Sequence, residues 1–341
     1  MTGVIFAVYA VASVMSSLVI GMYMDQIGHR CVILFGTLLM AVSIASFGVI
    51  EDLTDYTMVL SIAITSRCFE GAASGLMNTA VYSYTALAYP ENVEKVISLS
   101  EGFVGIGCTM GPVLGSLVYN AVGFSWTFYI FGLAMLPFAL LVCCCMKEPN
   151  AGEEEQGEEE DGLNDPVTHD GQDYEGDAGV TKITYGRLFC NMKVLFAALT
   201  GCMLAIVYGA NEPILSLRLD DYNLDSTQTG LVFGMYSIFY MISTFLVPYI
   251  VPDWVEPRVT LITSAFLLVF STALVGPFYT DKSLVAMLIG LASSGFFISF
   301  MIVPNMTEMM AAVQEAYPSF AGTGKTNSML SGLLNSSYAL G

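Results

Sequence analysis

The sequence predicts an all-α polytopic membrane protein assembled from two copies of one helical module. Apolar runs of spanning length follow one another along the chain, and 55% of residues are hydrophobic against 12% charged. With a mean hydropathy of +0.66, the chain lies outside the range of water-soluble globular domains. The second observation is an echo. The segment from Gly3 (GVIFAVYAVASVMSSL) returns from Gly230 as GLVFGMYSIFYMISTF, with Gly3/Gly230, Phe6/Phe233, Tyr9/Tyr236 and Ser16/Ser243 in register. The third extends it, because residues 102–111 (GFVGIGCTMG) are answered by residues 332–341 (GLLNSSYALG) at the same outer glycine spacing. Repeated hydrophobic segments of this kind mark membrane carriers built from related halves.

A hydrocarbon core about 30 Å thick needs about 20 apolar residues in helical conformation. Such runs occupy residues 3–23, 31–50, 56–82, 96–120 and 125–145 in a first half, residues 1–146. A second half, residues 183–341, holds runs at 188–210, 230–251, 258–278 and 283–308, with an incomplete one from Thr326. A full span precedes Gly230 and none precedes Gly3, so the repeat predicts a twelve-helix protein. Its first helix, part of its eleventh and its twelfth would lie outside these 341 residues.

Basic residues orient the spans. Arg30, Lys95, Lys147, Lys182, Arg187, Lys193, Arg258 and Lys325 fall at one end, against Arg218 and Lys282 at the other, and the basic end is predicted to be cytoplasmic. The net charge of −19 carries little information about a ligand, because twelve of the 30 acids lie within residues 153–177. That run is nearly devoid of apolar residues, so residues 147–182 read as an acidic, disordered cytoplasmic linker between the halves.

Eight cysteines show neither metal-ligand spacing nor a disulfide framework, and the two histidines, His29 and His169, are far apart. Residues 322–326 read GTGKT, but Ser319 stands where a phosphate-binding loop needs its first glycine, and no strand precedes it. No nucleophile, metal or nucleic-acid site is predicted, and the protein is not expected to be an enzyme.

Residues 21–30 read GMYMDQIGHR, in which Gly21, Asp25, Gly28 and Arg30 resemble the GxxxDxxGR/K signature of the major facilitator superfamily. Gly21 allows close helix approach, and Asp25 is suited to accept bonds from a neighbouring helix N-terminus. The matching stretch of the second copy, residues 248–258, offers Asp253 and Arg258, each one place out of register and without the glycines. Arg67, Gly71 and Gly75 resemble the RxxxGxxxG pattern of that family's fourth helix, and Glu70 stands one turn from Arg67. Gly107, Gly111, Pro112 and Gly115 (GxxxGPxxG) resemble the kinked fifth-helix motif of its proton antiporters. The stretches NEPIL (211–215) and PNMTE (304–308), with the segment from Gly332, resemble the vesicular amine and polyamine transporter branch.

The resemblance implies a major facilitator fold, two six-helix bundles around a midplane cavity, and exchange of organic cations, polyamines or related amines, for protons. On this expectation Glu212 and Glu308 are the cation and proton carboxylates, with Asn335, Tyr208 and Tyr236 beside them. Arg67 and Glu70 form a buried pair, Asp25 and Arg30 a cytoplasmic latch, and Gly111 with Pro112 the antiporter kink. No cofactor is expected, a proton gradient being the energy source. The partners are a small organic cation, protons and the lipid bilayer, the protein acting as a monomer in a vesicular or other endomembrane, with the plasma membrane as the alternative. Two other readings stay open: a multidrug exporter of the same fold, and a transport-dead membrane scaffold.

Overall fold

The computed structural model describes residues 2–148, 183–220, 222, 226–252, 254–276 and 283–341; between 210 and 229 it describes the side chains of Leu215, Leu219, Tyr222 and Gln228 only. Most of the predicted linker and Asp253 lie outside the described residues. The first half forms α1 (Thr2–Ile27), α2 (His29–Gly48), α3 (Tyr56–Ala88), α4 (Val93–Val122) and α5 (Phe124–Cys145). The second forms α6 (Tyr185–Cys190), α7 (Met192–Asp220), α8 (Ser226–Ile250), α9 (Pro257–Val275), α10 (Leu284–Ile302), α11 (Asn305–Ala316) and α12 (Gly324–Leu340). Among the described residues, eight helical stretches are long and apolar enough to cross a membrane. The helix α3, which carries Arg67 and Glu70, is not one of them.

Three helix starts, those of α3, α10 and α12, are capped by side chains that take up a free backbone N–H. Asp55 accepts from Thr57 N at 3.0 Å ahead of α3, and Thr323 accepts from Thr326 N at 3.4 Å ahead of α12. The predicted span 283–308 is instead two helices, α10 and α11, parted at Pro304. Proline has no N–H to continue the ladder.

Two contacts show that the repeat is structural. A Cβ built on Gly71 of α3 would lie 2.2 Å from the Tyr9 carbonyl of α1, and one on Gly295 of α10 would lie 2.5 Å from the Tyr236 carbonyl of α8. Tyr9 and Tyr236 are partners in the sequence echo, so each half crosses its helices at the same backbone-on-backbone point. Within the halves α3 packs on α1 and α2, α2 on α5, α10 on α8 and α9, and α12 on α7; across the halves α1 and α3 pack on α12, and α4 on α8. The two echoed segments of one copy thus meet those of the other crosswise. Outward faces carry large apolar side chains such as Phe6, Val42, Leu140 and Phe270, as a hydrocarbon solvent requires.

The α1–α2 turn needs its second glycine. Gly28 adopts φ +86°, open to glycine at no steric cost. The turn presents the start of α2 to Glu148, which follows α5. The Glu148 carboxylate accepts from the backbone N–H of His29, from that of Arg30 at 3.1 Å, and faces His29 Nδ1 at 3.1 Å. Burial alone would raise this carboxyl, but the two backbone donors and His29 overcome it and hold it below its ordinary 4.5. Its stabilisation is therefore present above that value and lost as pH falls through the lower folded value. Glu148→Gln is expected to destabilise the protein by about 0.5 kcal/mol, the low end for a cap because the side chain is 43% exposed. Thermal melts in detergent should show the loss at neutral pH and its disappearance in strong acid.

Candidate functional site

The helices α4 and α8 touch at the basic end of the molecule and separate toward the other. In the contact, a Cβ on Gly102 would fall 2.4 Å from the Phe245 ring, and one on Gly105 would fall 3.0 Å from Met241. Beyond it, a Cβ on Gly107, Gly111 or Gly115 would meet no atom within 4 Å. Between the separated ends lies a cavity of about 800 Å³, a size suited to a small organic molecule. Thr109, Pro112 and Ser116 of α4 line one side; Tyr208 of α7 and Phe233 and Tyr236 of α8 line the other. The Tyr208 and Tyr236 rings stand 5.8 Å apart at 50°, a pair of aromatic faces in an otherwise mainly apolar wall.

Three of the predicted residues line this cavity. Tyr208, Tyr236 and Pro112 line the cavity, and Glu212 lies on α7 between Tyr208 and Leu215, two cavity-lining residues that share its helix face in i, i+4, i+7 register. The Glu212 side chain is outside the described set. Glu308 stands elsewhere: it is buried in the first turn of α11, its Oε1 accepts from Arg258 Nε at 2.8 Å, and it is not among the cavity-lining residues. Arg67 donates to Glu70 at 2.8 Å and stacks 4.9 Å above the Phe47 ring, with both members of the ion pair only partly buried.

The seam that closes the basic end is built of small and hydroxyl-bearing residues. Gly21 of α1 faces Gly332 of α12, where a Cβ on Gly21 would sit 2.8 Å from the Ser328 carbonyl. Asn335 donates to Ser17 Oγ at 2.6 Å, Ser83 and Ser328 hydroxyls meet at 2.8 Å, and Ser98 donates to the Thr244 carbonyl at 2.5 Å. Asn335 is thus a seam residue on α12 and does not line the cavity. Asp25 sits against the first turns of α12, accepting from Ser328 Oγ at 3.4 Å, where the positive end of a helix favours an anion. Arg30 is engaged by the Cys143 carbonyl, so Asp25 and Arg30 act at separate contacts.

One group outside the cavity lining, two turns along α4 from the lining residue Cys108, has no counterpart in the expected site. Glu101 of α4, partly buried, accepts from Tyr82 Oη of α3 at 2.5 Å and from Tyr240 Oη of α8 at 2.7 Å. Its carboxylate therefore joins the two halves. Tyr240 is one turn along α8 from the cavity-lining Tyr236, and Tyr338 of α12 faces the same cluster. A lone Glu within an apolar run is the signal that marks it, since an acid at membrane depth needs partners.

The profile of the Major Facilitator Superfamily matches residues 1–341, the whole chain. The chain belongs to the major facilitator superfamily. Among curated relatives, the MFS-type transporter SLC18B1 of Rattus norvegicus is 26% identical over 350 residues, covering 99% of this chain and 69% of the relative. The human protein of that name is 25% identical over 352 residues, with 99% and 69% covered. The vesicular acetylcholine transporter of Drosophila melanogaster is 26% identical over 148 residues, 43% of this chain and 24% of the relative. These relatives fall in the vesicular amine transporter branch to which the motifs point. Among solved structures, the human organic anion transporter MFSD10 superposes with a TM-score of 0.71 at 17% identity, covering 99% of this chain and 75% of the other. The proton:xylose symporter XylE superposes with the same score at 13% identity, with 98% and 75% covered. At those identities the superpositions speak for the major facilitator fold alone.

Proposed function

We propose that this major facilitator protein exchanges organic cations, polyamines or related amines, for protons across an endomembrane, filling an acidic compartment from the cytoplasm. The observation that carries the reading is the Tyr208–Tyr236 pair in the cavity, with the Glu212 position on the same face of α7. Aromatic faces and a carboxylate attract an ammonium group, and a carboxylate that must release a proton to bind it links the two ligands. Partial similarity to a transporter named for acetylcholine, itself an organic cation, supports the charge of the cargo. Closure at the basic end with the cavity open toward the other supports alternating access, in a state facing the compartment.

The apolar part of the wall, Val113, Leu215, Leu231, Phe233, Ile238 and Leu291, favours a second reading, export of amphipathic drugs by the same fold. Liposomes loaded with acid and carrying the reconstituted protein separate the two. Amine antiport predicts that external spermine collapses the pH gradient in a protein-dependent manner and that hydrophobic dyes compete weakly. Drug export predicts the reverse ranking. A gradient indifferent to both classes of cation, with monodisperse protein, would overturn proton-coupled cation exchange.

A further inference from the structure

The structure assigns to Glu101 the binding of the proton that controls the seam between the halves: ionised, it ties α3 and α8 together through Tyr82 and Tyr240, and protonated, it lets the basic end open. This rests on the reading of the protein as a proton-coupled exchanger and adds the residue through which the proton acts.

The geometry argues it in three steps. An ionised carboxylate is an acceptor only, and here each oxygen takes one phenol O–H, from Tyr82 at 2.5 Å and Tyr240 at 2.7 Å. Glu101 and Tyr82 belong to the first half and Tyr240 to the second, so the Tyr240 bond crosses the seam while the Tyr82 bond fixes the carboxylate that receives it. When a proton from the cavity settles on one oxygen, that oxygen becomes a hydroxyl donor and the phenol opposite it must turn away or lose its bond. The tie then passes from two charge-assisted hydrogen bonds to weaker neutral ones.

The surroundings fit this role. The titratable groups facing Glu101 are Tyr82 of α3, Tyr240 of α8 and Tyr338 of α12, and among the described residues it has no ion-pair partner. Nothing basic holds its charge permanently, so a proton is what can neutralise it. It also sits where a proton from the open side arrives: Cys108, two turns further along α4, and Tyr236, one turn from Tyr240, both line the cavity. Toward the basic end, Ser98 lies one turn from Glu101 and is sealed in the seam against the Thr244 carbonyl. Glu101 thus lies between the cavity and the closed end. The echoed position of the second copy is Ser331, whose hydroxyl bonds within its own helix to the Asn327 carbonyl, so the device belongs to one half.

The test reads the seam and the transport separately. Ser98→Cys, in a background with the native cysteines replaced by serine, is exposed to an impermeant maleimide in detergent at acidic and neutral pH. Labelling, taken at each pH relative to an exposed reference cysteine so that the acid loss of thiolate cancels, is expected to rise on acidification when Glu101 is present and to be high at both pH values in Glu101→Gln, which mimics the protonated form. In liposomes, Glu101→Gln is expected to keep spermine counterflow while losing gradient-driven spermine accumulation by at least about tenfold. Accumulation and pH-dependent labelling both unchanged in Glu101→Gln would overturn the assignment. If the wild-type protein shows no spermine-driven proton flux but keeps Glu101-dependent labelling, the exchange reading fails and the proton switch stands. Should Glu101→Gln not yield monodisperse protein, the pair Tyr82→Phe and Tyr240→Phe decides, since it keeps the acid and removes both donors. Labelling high at neutral pH supports the tie, and wild-type labelling refutes it.

Discussion

Replacing Glu212 by glutamine is expected to weaken amine binding by about 2–3 kcal/mol, or roughly 30- to 150-fold, and to abolish spermine-driven proton efflux. The amide keeps the shape and one acceptor but neither attracts an ammonium group nor releases a proton. Glu308→Gln is the informative contrast. That carboxylate is engaged by Arg258 at 2.8 Å, with 8% of its side chain exposed against 44% for the arginine. Its loss leaves a solvated arginine and a buried neutral amide, so the cost falls on stability, about 1 kcal/mol, with affinity for amine preserved. Isothermal titration with spermine and thermal melts on the two variants separate these outcomes. Equal loss of affinity in both would return Glu308 to the binding site.

Gly71→Ala is expected to have the largest effect on folding, about 3 kcal/mol, enough to remove most monodisperse protein at physiological temperature. The added carbon would sit 2.2 Å from the Tyr9 carbonyl, a main-chain atom in the middle of α1 that has no rotamer through which to retreat. Gly295→Ala should follow, its carbon 2.5 Å from the Tyr236 carbonyl. Gly107→Ala serves as the control, since no atom lies within 4 Å and alanine favours a helix by about 1 kcal/mol. Fluorescence-detected size exclusion after heating ranks the three, and a Gly71→Ala protein as stable as Gly107→Ala would refute the crossing.

What could be read from the chain alone followed the range of the physics involved. The spans depend on composition over one window, and the echo of Tyr9 in Tyr236 is visible because each copy must make the same crossing. On α7 the resemblance names Tyr208 and Glu212, while Leu215, which lines the cavity with Tyr208, is not singled out. Glu101 stands out as a lone acid in an apolar run, but its role does not, because that comes from Tyr82, 19 positions away, and Tyr240, 139 positions away. Glu308 was read as a cavity acid for the same reason: its partner Arg258 is 50 positions distant. Glu148, capping α2 from 119 positions away, left no local trace at all.

The seam itself has a consequence for direction. Its polar members, Asn335 on Ser17, Ser83 on Ser328 and Ser98 on the Thr244 carbonyl, are groups that water satisfies about as well as they satisfy one another. Each such bond is worth only about 0.5–1.5 kcal/mol net, so parting these polar contacts exchanges like for like, and the apolar cluster of Val93 and Ile97 with Met309 and Leu330 is what favours the joined state. Apart from the Glu101 tie, these polar contacts have little preference between joined and parted and supply no built-in one-way valve. The sign of the ion and solute gradients would then decide whether a compartment fills or empties, and reversing them should run the same cycle backwards.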